Sequence, residues 1–246
     1  MYRSTFKGGC HPFEGKEMSS TKPVVTLEPG PELVFPLLQH AGAPAVPVVK
    51  AGDEVLAGQL IAEANGAVSA NIHSSVSGKV KAIQKRPLPT GGVGMSIVIT
   101  NDNEYREVEY KPASLDSLSR EEILARIRAA GVVGMGGAGF PTCVKLKPAK
   151  PVDTILLNGC ECEPYLTADH KVLLEFADDI IFGLKAILKT TGAEKGIIVI
   201  EDNKPDCIAK LKELTKDEPR MEVREMMTKY PQGAERQLIF ANTGRA

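Results

Sequence analysis

The chain has 246 residues, 43% of them hydrophobic and 25% charged, which is an ordinary globular composition and enough for one large domain or two small ones. A formal net charge of −1 speaks against a dedicated nucleic-acid binder, which would carry a basic surplus. No run approaches the ~18 apolar residues of a membrane span, and the opening MYRSTFKGGCHP lacks the apolar core of a signal peptide. The expectation is therefore a cytoplasmic protein, not itself membrane-spanning, with peripheral docking on the inner face of the cell membrane left open.

The first half reads as short β segments separated by turns. VPVV (46–49) precedes the turn KAGD, and EVLAGQLIAEA (54–64) precedes NGAV. ANIHSSVSGKVKAI (70–83) contains a further glycine turn, and MSIVIT (95–100) closes the half. Valine and isoleucine runs broken by Gly, Asn and Asp predict a small all-β unit. The polar stretch 101–118 predicts a crossing between two differently patterned halves, so the expected division is 1–110 and 111–246.

The second half alternates between helical and strand patterns. Ser119 and Glu122 have capping-box spacing, and Ile123, Ile127 and Ala130 recur at helical intervals before Gly131. Strands are predicted over 153–159, 195–202 and 221–227, and helices over 168–192 and 204–215. An apolar stripe at 172, 173, 176, 180, 184 and 187 predicts the core-facing side of the long helix. This alternation implies an α/β domain with a parallel sheet covered on both faces.

Five cysteines without C-x-x-C spacing fit neither a disulfide framework nor a local zinc or iron–sulfur site. Cys160 and Cys162 supply at most two metal ligands, and no metal site is expected. The four histidines are scattered and suit surface or core positions better than ligation.

The segment GVVGMGGAGFPTCVKL (131–146) matches G-x-G-x-x-G. A dinucleotide turn needs a strand before the first glycine and a helix starting inside the motif. Here a helix precedes it and Phe140-Pro141 follows. Two readings stay open: a phosphate cradle of backbone N–H groups with Lys145 in reach of the anion, or a glycine-rich interdomain turn. After the strand at 153–159 comes CECEPYLT (160–167). It places Glu161 and Glu163 just past a strand's C-terminal end, where open α/β sheets bind ligands; the bland reading is a solvated acidic turn.

GMGGAGFPTCVKL and NGCECEPYLTADHK together resemble the RnfC component of the Rnf electron-transport complex and, more distantly, the NADH-oxidising flavoprotein subunit of respiratory complex I. FKGGCHPFEGKEMS (6–19) and YPQGAERQLIFANTG (230–244) resemble that family's flanking motifs, in the same order. The first half resembles a biotinyl/lipoyl-type barrel-sandwich hybrid whose central hairpin, AEANGAVSANIH (62–73), lacks the carrier lysine. The resemblance implies a Rossmann-like FMN-binding domain of the complex I flavoprotein type. It implies FMN contacts at Gly134, Gly136, Gly137, Gly139, Lys145, Asn158 and Glu161, and nicotinamide-dinucleotide contacts at Phe140, Glu163, Tyr230 and Glu235.

Hydride would pass between NAD(H) and the flavin directly, so no side chain is assigned as a catalytic acid or base. Implied partners are other subunits of a membrane electron-transport complex, or a soluble reductase, and a ferredoxin-type carrier. Met135 stands where complex I has arginine, and Cys160 where the related chains have an acidic residue or alanine. The family's C-terminal iron–sulfur clusters are not among these 246 residues, which suggests a fragment or a short relative. The alternatives are the electron-transfer protein of a proline reductase system, a non-catalytic adaptor without flavin, and, more weakly, a lipoyl-type carrier.

Overall fold

The structure is a computed structural model that describes residues 4–135 and 137–245. Its residues form two compact units, Thr26–Ala149 and Met1–Val25 with Lys150–Ala246.

The first unit is a β sandwich. Its strands are β1 (Glu32–Pro36), β2 (Val46–Pro47), β3 (Glu54–Val55), β4 (Leu60–Glu63), β5 (Ile72–His73), β6 (Gly78–Pro87) and β7 (Val93–Asn101). They form antiparallel sheets of order β1-β7-β6-β3 and β2-β4-β5. Between the sheets Val55, Ile61, Val76, Val80, Ile97 and Ile99 are fully enclosed, and they carry the hydrophobic stabilisation of the unit. The expected strands at 54–64 and 70–83 are each split. Gly58 and Gly78 both take positive φ, and a Cβ at Gly78 would lie 2.0 Å from the Thr100 carbonyl oxygen. β1 lacks the alternation expected of a one-faced strand and is not predicted.

The stretch after β7 is no free linker. Ala57 N–H donates to Arg106 O, and Val108 N–H donates to Ala57 O. Asp102 accepts from the Ser77 hydroxyl and from Arg106, which with the Glu104 amide holds its carboxyl down at about 2. Helix α1 (Arg120–Ala129) follows with the predicted capping box, Ser119 and Glu122 each satisfying the other's backbone N–H. It ends at Ala130, with Gly131 left-handed at φ 67.

That helix end belongs to the sandwich. The Asn71 amide donates to Ala129 O at 3.1 Å, and Arg128 donates to Gly66 O at 3.1 Å. The lysine-free hairpin between β4 and β5 thus serves as a helix dock.

The second unit contains β8 (Thr154–Gly159), α3 (Ala168–Glu175), α4 (Ala177–Thr191), β9 (Lys195–Glu201), α5 (Pro205–Leu214), β10 (Met221–Met226) and α6 (Glu235–Thr243). The three strands are parallel in the order β10-β9-β8. Ile198 and Ile200 face Leu173, Ala177, Ile181, Leu184, Leu188 and Leu211 of α3–α5. Val199 and Met226 face Leu238 of α6 on the other side. Both faces are covered, as parallel strands require.

The expected helix 168–192 breaks at Phe176, which leaves helical geometry at φ −117°, ψ 31°. Asp178 and Asp179 then fall in the first turn of α4, where the helix dipole favours negative charge. The break also resets the buried line. Val172 and Phe176 are exposed, and Leu173, Ala177, Ile181, Leu184 and Leu188 form the inward stripe. Among the described residues no helix is long and apolar enough to cross a membrane.

Gly131→Ala tests the helix dock. A Cβ there would sit 2.2 Å from Asn71 O, at a φ that L residues rarely adopt. The expected cost is about 2 kcal/mol or more, read as a fall in Tm of more than about 4 °C. An unchanged Tm would show that the dock is not needed.

Candidate functional site

The predicted site residues fall on both units. Gly134, Gly137, Gly139, Phe140 and Lys145 belong to the sandwich unit, and Asn158, Glu161, Glu163, Tyr230 and Glu235 to the α/β unit. Gly136 lies outside the described residues.

In the sandwich unit the glycine segment is a closed loop. Gly134 N–H donates to Phe140 O, Thr142 N–H donates to Val132 O, and Val133 bridges Pro141. Gly139 seats the loop: Ala41 N–H donates to its carbonyl, and a Cβ on it would come within 3.0 Å of Gln39 O and His40 Cα. His40 is itself a bonding partner of the hairpin through Ala70 N–H. The tip points outward. Met135 is 96% exposed, Phe140 is exposed, and a Cβ on Gly137 would meet nothing within 4 Å. The short helix α2 (Thr142–Lys145) ends the loop and leaves Lys145 exposed. A rigidly based tip with bare backbone suits an anion such as a phosphate.

In the α/β unit the other residues gather at the C-terminal edge of the parallel sheet. The Asn158 side chain accepts from Cys160 N–H at 3.1 Å and donates to Gly233 O at 2.9 Å. It therefore joins the end of β8 to the 230–235 segment. Tyr230 is fixed from the N-terminus: Cys10 and Tyr230 exchange backbone hydrogen bonds of 2.9 and 2.8 Å. Glu235 is exposed in the first turn of α6.

Glu161 is buried, 2% exposed, and one of its oxygens accepts from Asp169 N–H at 2.8 Å at the start of α3. Its other oxygen has no hydrogen-bond partner among the described residues, and Lys16 Nζ lies 3.7 Å away. Glu163 is exposed, so the turn presents one carboxylate outward and holds one inward. A small cleft beside it is lined by His11, Lys16, Glu161, Glu163, Asn203 and Lys229, among others.

Behind this edge lies a buried charge network that the sequence reading passed over. Glu201 and Lys204 pair at 3.4 Å, and neither is more than 1% exposed. Burial raises the Glu201 carboxyl above its ordinary range, against the opposing pull of Lys204. Lys229 donates to Phe6 O and Gly8 O and lies over the Phe6 ring. Gln232 is fully buried, its carbonyl accepting from Thr5, while its amide nitrogen lacks a partner among the described residues. The signal was partial: Glu201 closes the strand run of β9 and Lys204 follows it, at the same edge as Glu161.

His170, Asp206 and Cys207 place three potential ligand atoms within 4.8 Å of one another. They lie in the first turns of α3 and α5, whose positive ends oppose a cation, and His170 is already bonded to Asp206 at 2.8 Å. Burial raises the thiols of Cys160 and Cys207, the latter to about 12. Alkylation of the native chain at mildly alkaline pH should modify exposed Cys10 first and leave Cys160 and Cys207 unlabelled until denaturant is added. Early labelling of Cys160 would contradict the packed edge.

Residues 4–104 match the RnfC barrel sandwich hybrid domain, and residues 127–246 match the Nuo51 FMN-binding domain. The C subunit of the Na(+)-translocating ferredoxin:NAD(+) oxidoreductase complex of Acetobacterium woodii is 46% identical over 98% of this chain and 55% of its own length. The C subunit of the proton-translocating ferredoxin:NAD(+) oxidoreductase complex of Clostridium ljungdahlii is 48% identical over 98% of this chain and 53% of its own. The C subunit of an ion-translocating oxidoreductase complex of Vibrio cholerae is 40% identical over 95% of this chain and 31% of its own. The chain thus spans about half the length of the first two relatives. It belongs to the RnfC-like family, joining an RnfC barrel sandwich hybrid domain to a Nuo51-type FMN-binding domain.

Proposed function

We propose that this chain is the flavin-binding part of a ferredoxin:NAD+ oxidoreductase complex, exchanging electrons between NAD(H) and iron–sulfur carriers. The observation that carries the reading is the glycine loop. Its base is locked to the sandwich at Gly139, while Gly137 faces open space at its tip. A loop that only connected two elements would have no need of a bare, exposed backbone held on so fixed a base.

In this reading Gly136, Gly137, Gly139 and Lys145 hold the FMN phosphate and ribityl chain through backbone N–H groups and one ammonium, while Gly134, whose N–H is spent on Phe140 O, closes the base of the loop. Asn158 and Glu161 belong to the proposed flavin set as well. Their side chains are spent on Cys160, Gly233 and Asp169, so what they offer is a fixed turn and the one unsatisfied Glu161 oxygen. Phe140, Glu163, Tyr230 and Glu235 are exposed and are assigned to the nicotinamide dinucleotide. Bound FMN would supply two-electron exchange with the nicotinamide and one-electron exchange with the carriers. The protein's share is binding, orientation and charge, and no side chain is asked to move a proton.

The partners in this proposal are the other subunits of a membrane-associated complex and a ferredoxin-type carrier. The identity of 46% and 48% to the Acetobacterium and Clostridium relatives supports that setting over a proline reductase partner. Cys160, buried and bonded through its sulfur to Val199 O at 3.8 Å, is accommodated as a packing residue and does not argue for a flavin-free adaptor.

Gly137→Val separates binding from folding. A Cβ there would meet no protein atom within 4 Å and the residue is not left-handed, so Tm should match the parent. FMN affinity should fall at least ~10-fold, about 1.4 kcal/mol, in a fluorescence-quenching titration. Equal FMN binding by the variant, or none by the folded parent, would overturn the assignment.

A further inference from the structure

The N-terminal motif FKGGCHPFEGKEM is left without chemistry by the proposed function. It lies wholly within the α/β unit, against the acidic turn. We infer that Lys16 is a positioning residue that sets the 161–166 turn in its ligand-presenting form, making the segment 10–19 a working part of the candidate site. The consequence for ligands rests on the reading that Glu161 and Glu163 serve FMN and the nicotinamide dinucleotide; the positioning itself does not.

An ammonium has three N–H donors and no acceptor. Lys16 Nζ directs two of them to Glu163 O at 3.0 Å and Leu166 O at 2.6 Å, and faces Glu161 Oε2 at 3.7 Å. One cation thereby ties both ends of the turn and is the countercharge of its buried carboxylate. Its side chain is 12% exposed and that of Glu161 3%. In such surroundings a carboxylate without a partner is strongly destabilising, so the turn depends on the pair as a pair.

The rest of the segment is shaped to deliver that ammonium. Gly15 is left-handed, and a Cβ on it would strike the Tyr165 ring at 2.4 Å. Tyr165 is itself left-handed at φ 67, which is uncommon for a bulky residue, and is held there by its N–H donating to Glu14 O at 2.7 Å. Phe13 meets the Tyr165 ring edge-on, and Thr167 donates to the Ser19 hydroxyl at 2.9 Å. The Glu14 carboxylate accepts from Asn203, just past β9. A terminal segment that merely covered the edge would need neither two left-handed residues in contact nor a lysine spent on two carbonyls of one turn.

The test is a double-mutant cycle on the 246-residue chain, using Lys16→Met, Glu161→Gln and the pair. In Lys16→Met, hydrogen exchange of Asp169 N–H and of the turn amides should rise at least ~10-fold, while the amides of β9 keep their protection. Glu161→Gln should lower Tm in the parent but raise it in the Lys16→Met background, because it removes the orphaned charge. FMN or NADH affinity should fall in Lys16→Met and recover in part in the pair. Should Lys16→Met alone not fold, the pair carries the exchange measurement. Unchanged exchange in the turn, or strict additivity in Tm, would overturn the positioning role. Loosening of the turn with unchanged ligand affinity would overturn its part in the site. A parent that binds no flavin would sink the proposed function, while the exchange and Tm cycle would still decide for or against Lys16.

Discussion

Two close backbone approaches govern the sandwich unit. At Gly131 the chain passes so near the Asn71 carbonyl that no side chain fits, and at Gly139, itself left-handed, a Cβ would press on Gln39 O and His40 Cα at 3.0 Å. The first fixes the end of α1 on the hairpin residue Asn71, and the second fixes the glycine loop on residues 39–41. Between them the intervening segment has little freedom, so the backbone amides at its tip are presented from a fixed base. Preorganisation of this kind reduces what a ligand must spend on ordering the loop. The same hairpin would carry a lysine in a lipoyl-type carrier. Here its Asn71 side-chain amide and Gly66 carbonyl serve as the dock for the end of α1.

The α/β unit solves a different problem. Among the described residues its sheet has three strands, and at their C-terminal ends Glu161, Glu201, Lys204 and Lys229 are all buried. Burying so many charges is tolerable only when each is paired or hydrogen-bonded. The N-terminal segment supplies much of that satisfaction. Its carbonyls at Phe6 and Gly8 accept from Lys229, and its Lys16 answers Glu161. Two regions far apart in sequence are therefore one electrostatic assembly, and the edge that would meet a ligand is stiff.

Much of this was legible in the residues. Ser119 and Glu122 announced a capped helix, Gly131 its stop, and the apolar runs at 153–159 and 195–202 their parallel strands, because each rests on local chemistry. The break at Phe176 was not legible, since periodicity continues through it and only the acidic pair at 178 and 179 marks a new helix start. The polar segment 101–118 read as a linker because pairing with Ala57 leaves no trace in composition. Lys16 and Lys229 were hidden for the opposite reason: a lysine reads as surface until the carbonyls that accept from it, 147 and 223 residues away in sequence, are brought beside it. Glu161 and Glu163 were both picked out, yet the sequence could not tell that one faces inward and the other outward.

The most direct measurement is a parallel calorimetric titration of the 246-residue chain with FMN and with riboflavin, which differ only in the phosphate. A loop built to hold that phosphate predicts saturable FMN binding at least ~10-fold tighter than riboflavin, with the difference shrinking as salt is added. Equal affinities for the two, or a preference for riboflavin, would contradict the assignment of the glycine loop as the phosphate site.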